Sequence, residues 1–295
     1  MFSIKSGFAC IIGRPNVGKS TLLNQFMGRK VAIVSDKPQT TRNRILGILT
    51  TEEAQVVFID TPGIHKPRHK LGAYMTRVAK ETLEEVDLVI YVVDASVLPG
   101  TGEDYILDQL RDVSTPVLLV LNKIDLIKKP ELLPLIDWFS KRFNFQEIVP
   151  VSALTAENLE KLRELIAGNL KDGPFFYPAE MVTDQPEVFV AAEVIREKVL
   201  HLTREEIPHA VAVAIEDMKE RKNGLIYINA VIYIERDSQK GIIIGRGGGM
   251  LKEIGQLARQ ELEAIFGNKV YLDLWVKVKK DWRDNEAALR SFGYE

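Results

Sequence analysis

At 295 residues, 46% of them hydrophobic and 27% charged, the chain is long enough for two domains with separate cores, and this composition excludes an intrinsically disordered protein. Its longest apolar runs, at 88–93 and 117–121, fall far short of the roughly 20 residues that a membrane-crossing helix needs. The formal charge is −2, with 22 basic and 23 acidic residues up to Asp184 and 17 and 18 beyond it, so neither half is a broadly basic nucleic-acid binder and any such contact needs a local patch.

In chain order, residues 1–7 carry no apolar stretch of the length expected of an export leader. The single cysteine, Cys10, lies in an apolar run and is expected in the core; it has no partner for an intramolecular disulfide, which fits a reducing cytoplasm. Short apolar runs at 8–12, 56–59, 88–93, 117–121 and 148–151 read as strands, and the segments at 20–27, 71–84, 103–111, 131–143 and 157–170 have helical character. This alternation predicts an α/β, doubly wound, mostly parallel sheet over residues 1–172. His65 and His69 stand four apart, but Pro67 between them disrupts the helix that a metal pair at that spacing requires.

Gly173, Pro174, Pro178 and Pro186 interrupt regular structure and mark a linker over 173–186, whose aromatic triplet at 175–177 is expected to dock on a neighbouring domain. From residue 187 to 295 the order changes to a helix at 188–202, strands at 210–218 and 225–235, a glycine-rich turn, a helix at 250–266 and a strand at 270–278. That is an α+β unit. No internal repeat is present.

Four signatures point to a nucleotide. Gly13, Arg14, Pro15, Asn16, Val17, Gly18, Lys19 and Ser20 satisfy the phosphate-loop pattern between a strand and a helix, with Thr21 next in that helix. The glycines let backbone N–H groups wrap a phosphate, Lys19 reaches the β and γ phosphates, and Ser20 is positioned for Mg²⁺. Asp60, Thr61, Pro62 and Gly63 follow the second strand, where Asp60 can hold the Mg²⁺ shell and the Gly63 N–H can sense the γ-phosphate. Asn122, Lys123 and Asp125 follow the strand at 117–121. A carboxylate only accepts hydrogen bonds, so Asp125 suits the N1–H and N2 amino group of guanine and mismatches adenine. Ser152, Ala153 and Leu154 follow the last strand and read as a support for the base. All four lie at C-terminal ends of expected strands, where open α/β sheets bind ligands. The segment 31–44 reads as a loop closing over Mg²⁺ through Thr40 or Thr41, between which spacing does not choose.

In the second unit Gly245, Arg246, Gly247 and Gly248 form a G-x-x-G turn that opens a helix. A dinucleotide fingerprint is excluded, because Met250 stands where its third glycine belongs. The turn and the element order resemble a KH domain, in the type II arrangement, whose groove accepts about four single-stranded nucleotides. Ile242, Ile243 and Ile244 are candidates for that groove or for the core, Arg246 and Lys252 for phosphate contacts, and Lys277, Lys279, Lys280 and Arg283 for a second basic cluster.

These signatures, with the Thr-Thr-Arg run at 40–42 and the single C-terminal KH-like unit, resemble the Era-type family of bacterial ribosome-assembly GTPases over essentially the whole chain. The resemblance implies GTP and GDP as ligands, Mg²⁺ held by Ser20, Thr41 and Asp60, and catalytic parts for Lys19, Thr41, Asp60 and Gly63. It implies a potassium ion held with the help of Asn16. It further implies binding of the 3′ end of small-subunit ribosomal RNA in the assembling 30S-type subunit, a monomeric cytoplasmic protein, and loose peripheral association with the inner membrane. Ile64 stands where Ras-like enzymes carry the glutamine that orients water, so a slow unaided rate is expected, and a GTP-dependent RNA-binding adaptor is the competing reading.

Overall fold

The apolar runs of the N-terminal unit form β1 (Lys5–Ile12), β2 (Ile45–Thr50), β3 (Ala54–Asp60), β4 (Leu88–Asp94), β5 (Val117–Asn122), β6 (Glu147–Pro150) and the two-residue β7 (Lys171–Asp172). The structure, a computed structural model, describes residues 4–67 and 69–294, so the first three residues of the stretch read for a leader lie outside the described residues. The strands are ordered β2-β3-β1-β4-β5-β6, and β7 pairs with the start of β1. Pairing is parallel throughout except at β2 and β7. The sheet is therefore mostly parallel, and its central strands β1, β3, β4 and β5 are buried on both faces, which is why they read as continuous apolar runs.

Between the strands lie α1 (Lys19–Met27), α2 (Lys70–Glu84), α3 (Thr101–Leu110), α4 (Leu132–Ser140) and α5 (Leu159–Asn169). Met75, Ala79 and Leu83 of α2 recur at intervals of four and are all buried, as expected of one apolar helix face. The antiparallel strand β2 is not foreseen in the sequence, where residues 45–50 follow directly on the expected switch loop. It forms because Thr51–Ala54 close a tight hairpin, with the Thr51 N–H donating to the Ala54 carbonyl at 2.8 Å. At Gly47 a Cβ would stand 2.8 Å from Leu23, so glycine lets α1 pack on this strand.

The segment after β7 docks on the same sheet. Gln55, fully buried on β3, accepts the N–H groups of Phe176 (2.7 Å) and Tyr177 (3.0 Å) and donates to the Tyr177 carbonyl (2.9 Å). Further along, Ile48 on β2 donates its N–H to the Val182 carbonyl at 2.8 Å. The units meet in sequence between Asp184 and Gln185.

The C-terminal unit contains α6 (Glu187–Leu202), α7 (Ile207–Ala210), β8 (Ala212–Glu220), β9 (Ile226–Ile234), α8 (Asp237–Ile244), α9 (Gly249–Phe266), β10 (Val270–Val278) and α10 (Glu286–Ser291). Its sheet runs β10-β9-β8, with β10 parallel and β8 antiparallel to β9. Helices α6, α8 and α9 contribute Val194, Ile195, Ile243, Ile254, Ala258 and Leu262 to a core against one sheet face. Where the sequence suggests only a glycine-rich turn after β9, α8 precedes it. The Gln239 side chain accepts both the Glu235 and the Arg236 N–H at 3.1 Å and so fixes the start of that helix despite the weak helical pattern around Gly241. The whole is an α/β unit on a mostly parallel sheet followed by an α+β unit on a three-stranded sheet.

Candidate functional site

A cleft of about 460 Å³ opens at the C-terminal ends of β1 and β3, lined by Pro15, Asn16, Gly18, Lys19, Ser20, Thr21, Thr40, Thr41 and Gly63, together with Lys123 and residues 33–36 and 39. Gly18 has φ 98° and caps α1, and a Cβ there would fall 2.3 Å from the Asn122 amide nitrogen. Only glycine fits where the loop passes this close to a neighbouring side chain. Lys19 opens α1 nearly buried, its Nζ donating to the carbonyls of Gly13 (3.3 Å) and Arg14 (2.9 Å). Burial pushes its pKa down to about 8, opposed by the Asp60 charge.

Beside it, Ser20 Oγ donates to Asp60 Oδ2 (2.7 Å), Thr41 Oγ1 donates to the same oxygen (3.2 Å), and the two hydroxyls stand 3.0 Å apart. Burial raises the Asp60 pKa against the Lys19 charge and these two hydrogen bonds, and its Oδ1 is buried with no hydrogen-bond partner among the described residues. Three hard oxygen donors around an unpaired carboxylate oxygen fit Mg²⁺, which takes oxygen ligands through one or two carboxylates. Thr40 Oγ1 is instead engaged with its own loop, donating to the Lys37 carbonyl at 2.6 Å. The geometry thus separates two threonines that spacing leaves equivalent.

Asn122 ties three loops together: its amide donates to the Val17 carbonyl (2.8 Å) and accepts the Ala153 N–H (2.9 Å). Ser152 Oγ donates to Asp125 Oδ1 at 2.5 Å and itself accepts the Thr155 N–H at 3.1 Å, so the base-reading carboxylate is aimed by its neighbour. Asp125 is exposed, and Leu154 is 75% exposed. Asn16, at φ 66°, donates from Nδ2 to the Asp36 carbonyl at 2.6 Å. Thr61 Oγ1 donates to the Ile11 carbonyl at 2.9 Å, which pins the 60–63 turn to β1.

Two supports escape the sequence reading. Asp94 ends β4 and accepts Lys123 Nζ at 2.5 Å; burial would raise its pKa, but hydrogen bonds from Lys123 and Ser96 outweigh this and hold it below the ordinary carboxylate range. Its place at a strand C-terminus is the same signal that marks the other loops. Glu103 on α3 is buried and takes Arg14 Nη1 on both oxygens, at 2.9 and 3.2 Å, a pairing across 89 residues that no local pattern reveals.

The second unit has its own groove, of about 490 Å³, between α9 and β10. Gly248, Leu251, Lys252, Gly255, Gln256 and Arg259 form one wall, and Leu272 and Leu274 the other. Gly245, Gly247 and Gly248 have φ of 73°, 57° and 79°, which explains the glycine-rich sequence at this turn. Lys252 lines the groove, and Arg246 and Gly247 stand exposed on the turn. Ile242 and Ile244 do not line it: Ile242 is 50% exposed elsewhere and Ile244 packs against the core that buries Ile243. Nor does the second basic cluster, since Lys279 donates to Ser291 Oγ (2.9 Å), Lys277 pairs with Glu216 (2.9 Å), and Arg283 pairs with Glu235 (2.5 Å); Lys280 is exposed. The sequence reading missed Leu251, Arg259, Leu272 and Leu274, whose apolar and helical spacing looks the same whether it lines a groove or a core.

A phosphate loop, a carboxylate and two hydroxyls meeting beside it, and a guanine-reading loop on a parallel sheet, followed by a G-x-x-G turn over an apolar groove, define a P-loop GTPase carrying a KH domain. The family described as "50S ribosome-binding GTPase" matches residues 8–123, and the family described as "KH domain" matches residues 206–283. "GTPase Era" of Heliobacterium modesticaldum is 58% identical over 295 residues, covering 100% of this chain and 99% of that protein. Two solved Era structures are each 44% identical with 99% of both chains covered: a variant from Aquifex aeolicus bound to GDP·AlF4⁻ (TM-score 0.95), and Era in complex with MgGDPNP and nucleotides 1506–1542 of 16S ribosomal RNA (TM-score 0.96). The chain belongs to the Era family of GTPases.

Proposed function

We propose that this protein is a slow GTP-hydrolysing switch that grips the 3′ end of small-subunit ribosomal RNA during assembly of that subunit. The loop 13–20 presents backbone N–H groups and the N-terminus of α1 to the phosphates, and Lys19 exchanges its two loop carbonyls for phosphate oxygens. Asp125, aimed by Ser152, accepts the guanine N1–H and N2–H, while Asn122 keeps the phosphate and base loops in register. Ser20, Thr41 and Asp60 hold Mg²⁺, which supplies charge neutralisation at the β and γ phosphates when bound. The Gly63 N–H meets the γ-phosphate, so loss of that group releases both loops that carry Thr41 and Gly63. The Ile64 side chain is buried and carries no hydrogen-bonding group, which supports a low unaided rate.

In the KH unit the turn 245–248 and Lys252 take the RNA backbone, and unpaired bases enter the groove against Leu272 and Leu274. The cycle runs in the cytoplasm, with any hold on the inner membrane peripheral; no helix among the described residues is long and apolar enough to cross a membrane. What carries the reading is the full-length likeness to an Era bound at once to MgGDPNP and 16S ribosomal RNA. Calorimetry with Mg²⁺ present tests it. GTP is expected to bind at least about 10³-fold more tightly than ATP, because adenine leaves the carboxylate facing a lone pair. Equal affinities for the two would overturn the reading.

A further inference from the structure

We propose that Gln39 orients the attacking water for GTP hydrolysis and that His65 holds Gln39 in place, supplying from the first switch loop what Ile64 lacks in the second. The inference rests on the reading of the cleft as a GTP site.

Gln39 lines the same cleft as Lys19, Thr41 and Gly63, and it does so with a left-handed backbone, φ 64°. A non-glycine residue held in that conformation is uncommon and clusters where function requires it. Its side-chain orientation follows from hydrogen-bond chemistry. His65 Nδ1 lies 2.9 Å from the Gly63 carbonyl oxygen. A carbonyl can only accept, so Nδ1 carries the ring proton, and in the neutral ring Nε2 is left as an acceptor. Gln39 Nε2 stands 3.3 Å from that nitrogen and donates to it. The amide is thereby fixed with its oxygen on the other side. That oxygen, Oε1, is buried and receives no hydrogen bond from any described residue.

A buried carbonyl oxygen without a donor is costly unless something else supplies the hydrogen. In a cleft shaped for a nucleotide, a water poised at the γ-phosphate supplies it. Ile64, by contrast, is 1% exposed and packs into the sheet core, so it cannot reach that water. During hydrolysis the water oxygen bonds to the γ-phosphorus while the bond from that phosphorus to the β–γ bridging oxygen breaks, its electron pair leaving with GDP. One water hydrogen stays on the attacking oxygen, hydrogen-bonded to Gln39 Oε1, and the other passes to a phosphate oxygen. Gln39 neither gains nor loses a proton, and His65 is a positioning residue that acts only through it. Because His65 is anchored on the Gly63 carbonyl, this pair completes the water site only when both switch loops are in place.

Single-turnover hydrolysis with the full-length protein decides the matter, using the wild type, Q39A, H65F and the double variant, with binding of a non-hydrolysable GTP analogue measured in parallel. Q39A is expected to slow the chemical step by about 100-fold, the scale of one preorganised hydrogen bond to a transition state, with analogue affinity within about twofold of wild type. H65F is expected to slow it less, and the double variant to be no slower than Q39A alone. Wild-type hydrolysis by Q39A overturns the proposal, as does a double variant whose defects multiply, since His65 then acts by another route. A loss of analogue affinity that parallels the loss of rate assigns Gln39 a structural part and also overturns it. If the wild type itself failed to hydrolyse GTP, the reading of the cleft would fall instead.

Discussion

Asp125 discriminates by what it cannot do: as a carboxylate it offers acceptors and no donor. Its partner Ser152 uses one oxygen at 2.5 Å, which orients the group and leaves the remaining lone pairs for a base. Asp125→Asn turns one of the two terminal atoms into a donor facing the guanine N1–H and N2 amino group. Loss of charge-assisted bonds on this scale lowers GTP affinity by about 10²–10³-fold. Xanthosine triphosphate, with a carbonyl in place of the amino group, gains affinity at the same time. Calorimetry with both nucleotides checks the pair of outcomes, and unchanged GTP binding would place guanine recognition elsewhere. The identities of Lys19, Asp60 and Asp125 are legible in the sequence because the chemistry of phosphate, Mg²⁺ and guanine restricts residue type. The partners Glu103 and Asp94 are less so, since any acid in a loop or helix is usually solvated.

Elements carry the same lesson in a different form. The strands of the parallel sheet announce themselves because burial on both faces demands unbroken apolar runs. Strand β2 is equally apolar but is defined by the hairpin it forms with β3, and α8 is defined by the Gln239 cap, so neither stands out in a local pattern. The turn at 245–248 is legible through its glycines, yet their parts differ. A Cβ on Gly245 would fall 2.7 Å from the Met250 Cβ, whereas around Gly247 and Gly248 there is open space within 4 Å. Substitutions at the latter two therefore test function with strain limited to the left-handed backbone, on the order of 1–3 kcal/mol each. The double variant G247D/G248D is expected to bind a 16S 3′-end oligonucleotide at least about tenfold more weakly, because two carboxylates meet the phosphates that this turn otherwise approaches. Its GTP affinity should equal that of wild type. Fluorescence anisotropy and calorimetry report the two quantities, and undiminished RNA binding would move the nucleic-acid site away from this turn.

At the scale of the molecule, a nucleotide cleft and an RNA groove on one chain gain regulatory meaning only if each changes the other's affinity. Linkage makes that relation reciprocal: the factor by which a GTP analogue, compared with GDP, alters RNA affinity must equal the factor by which RNA alters the ratio of the two nucleotide affinities. A coupling of about 5–150-fold is the usual range for such proteins. Measuring all four binding constants closes the cycle, and a factor of one on both legs would reduce the protein to a GTPase and an RNA binder that share a chain without a switch.

The sequence by itself determined which ligand chemistry each unit is built for. Phosphate wrapping needs glycines at fixed intervals, guanine reading needs a carboxylate after a strand, and a turn that approaches an RNA backbone needs residues without a Cβ. Tertiary structure decided which of two adjacent threonines joins Ser20 and Asp60, which isoleucines go to the core, and that Leu272 and Leu274 face Lys252 and Arg259 across a groove. Those choices depend on where strands and helices cross, and the distances that settle them join residues too far apart in the chain for any local pattern to record.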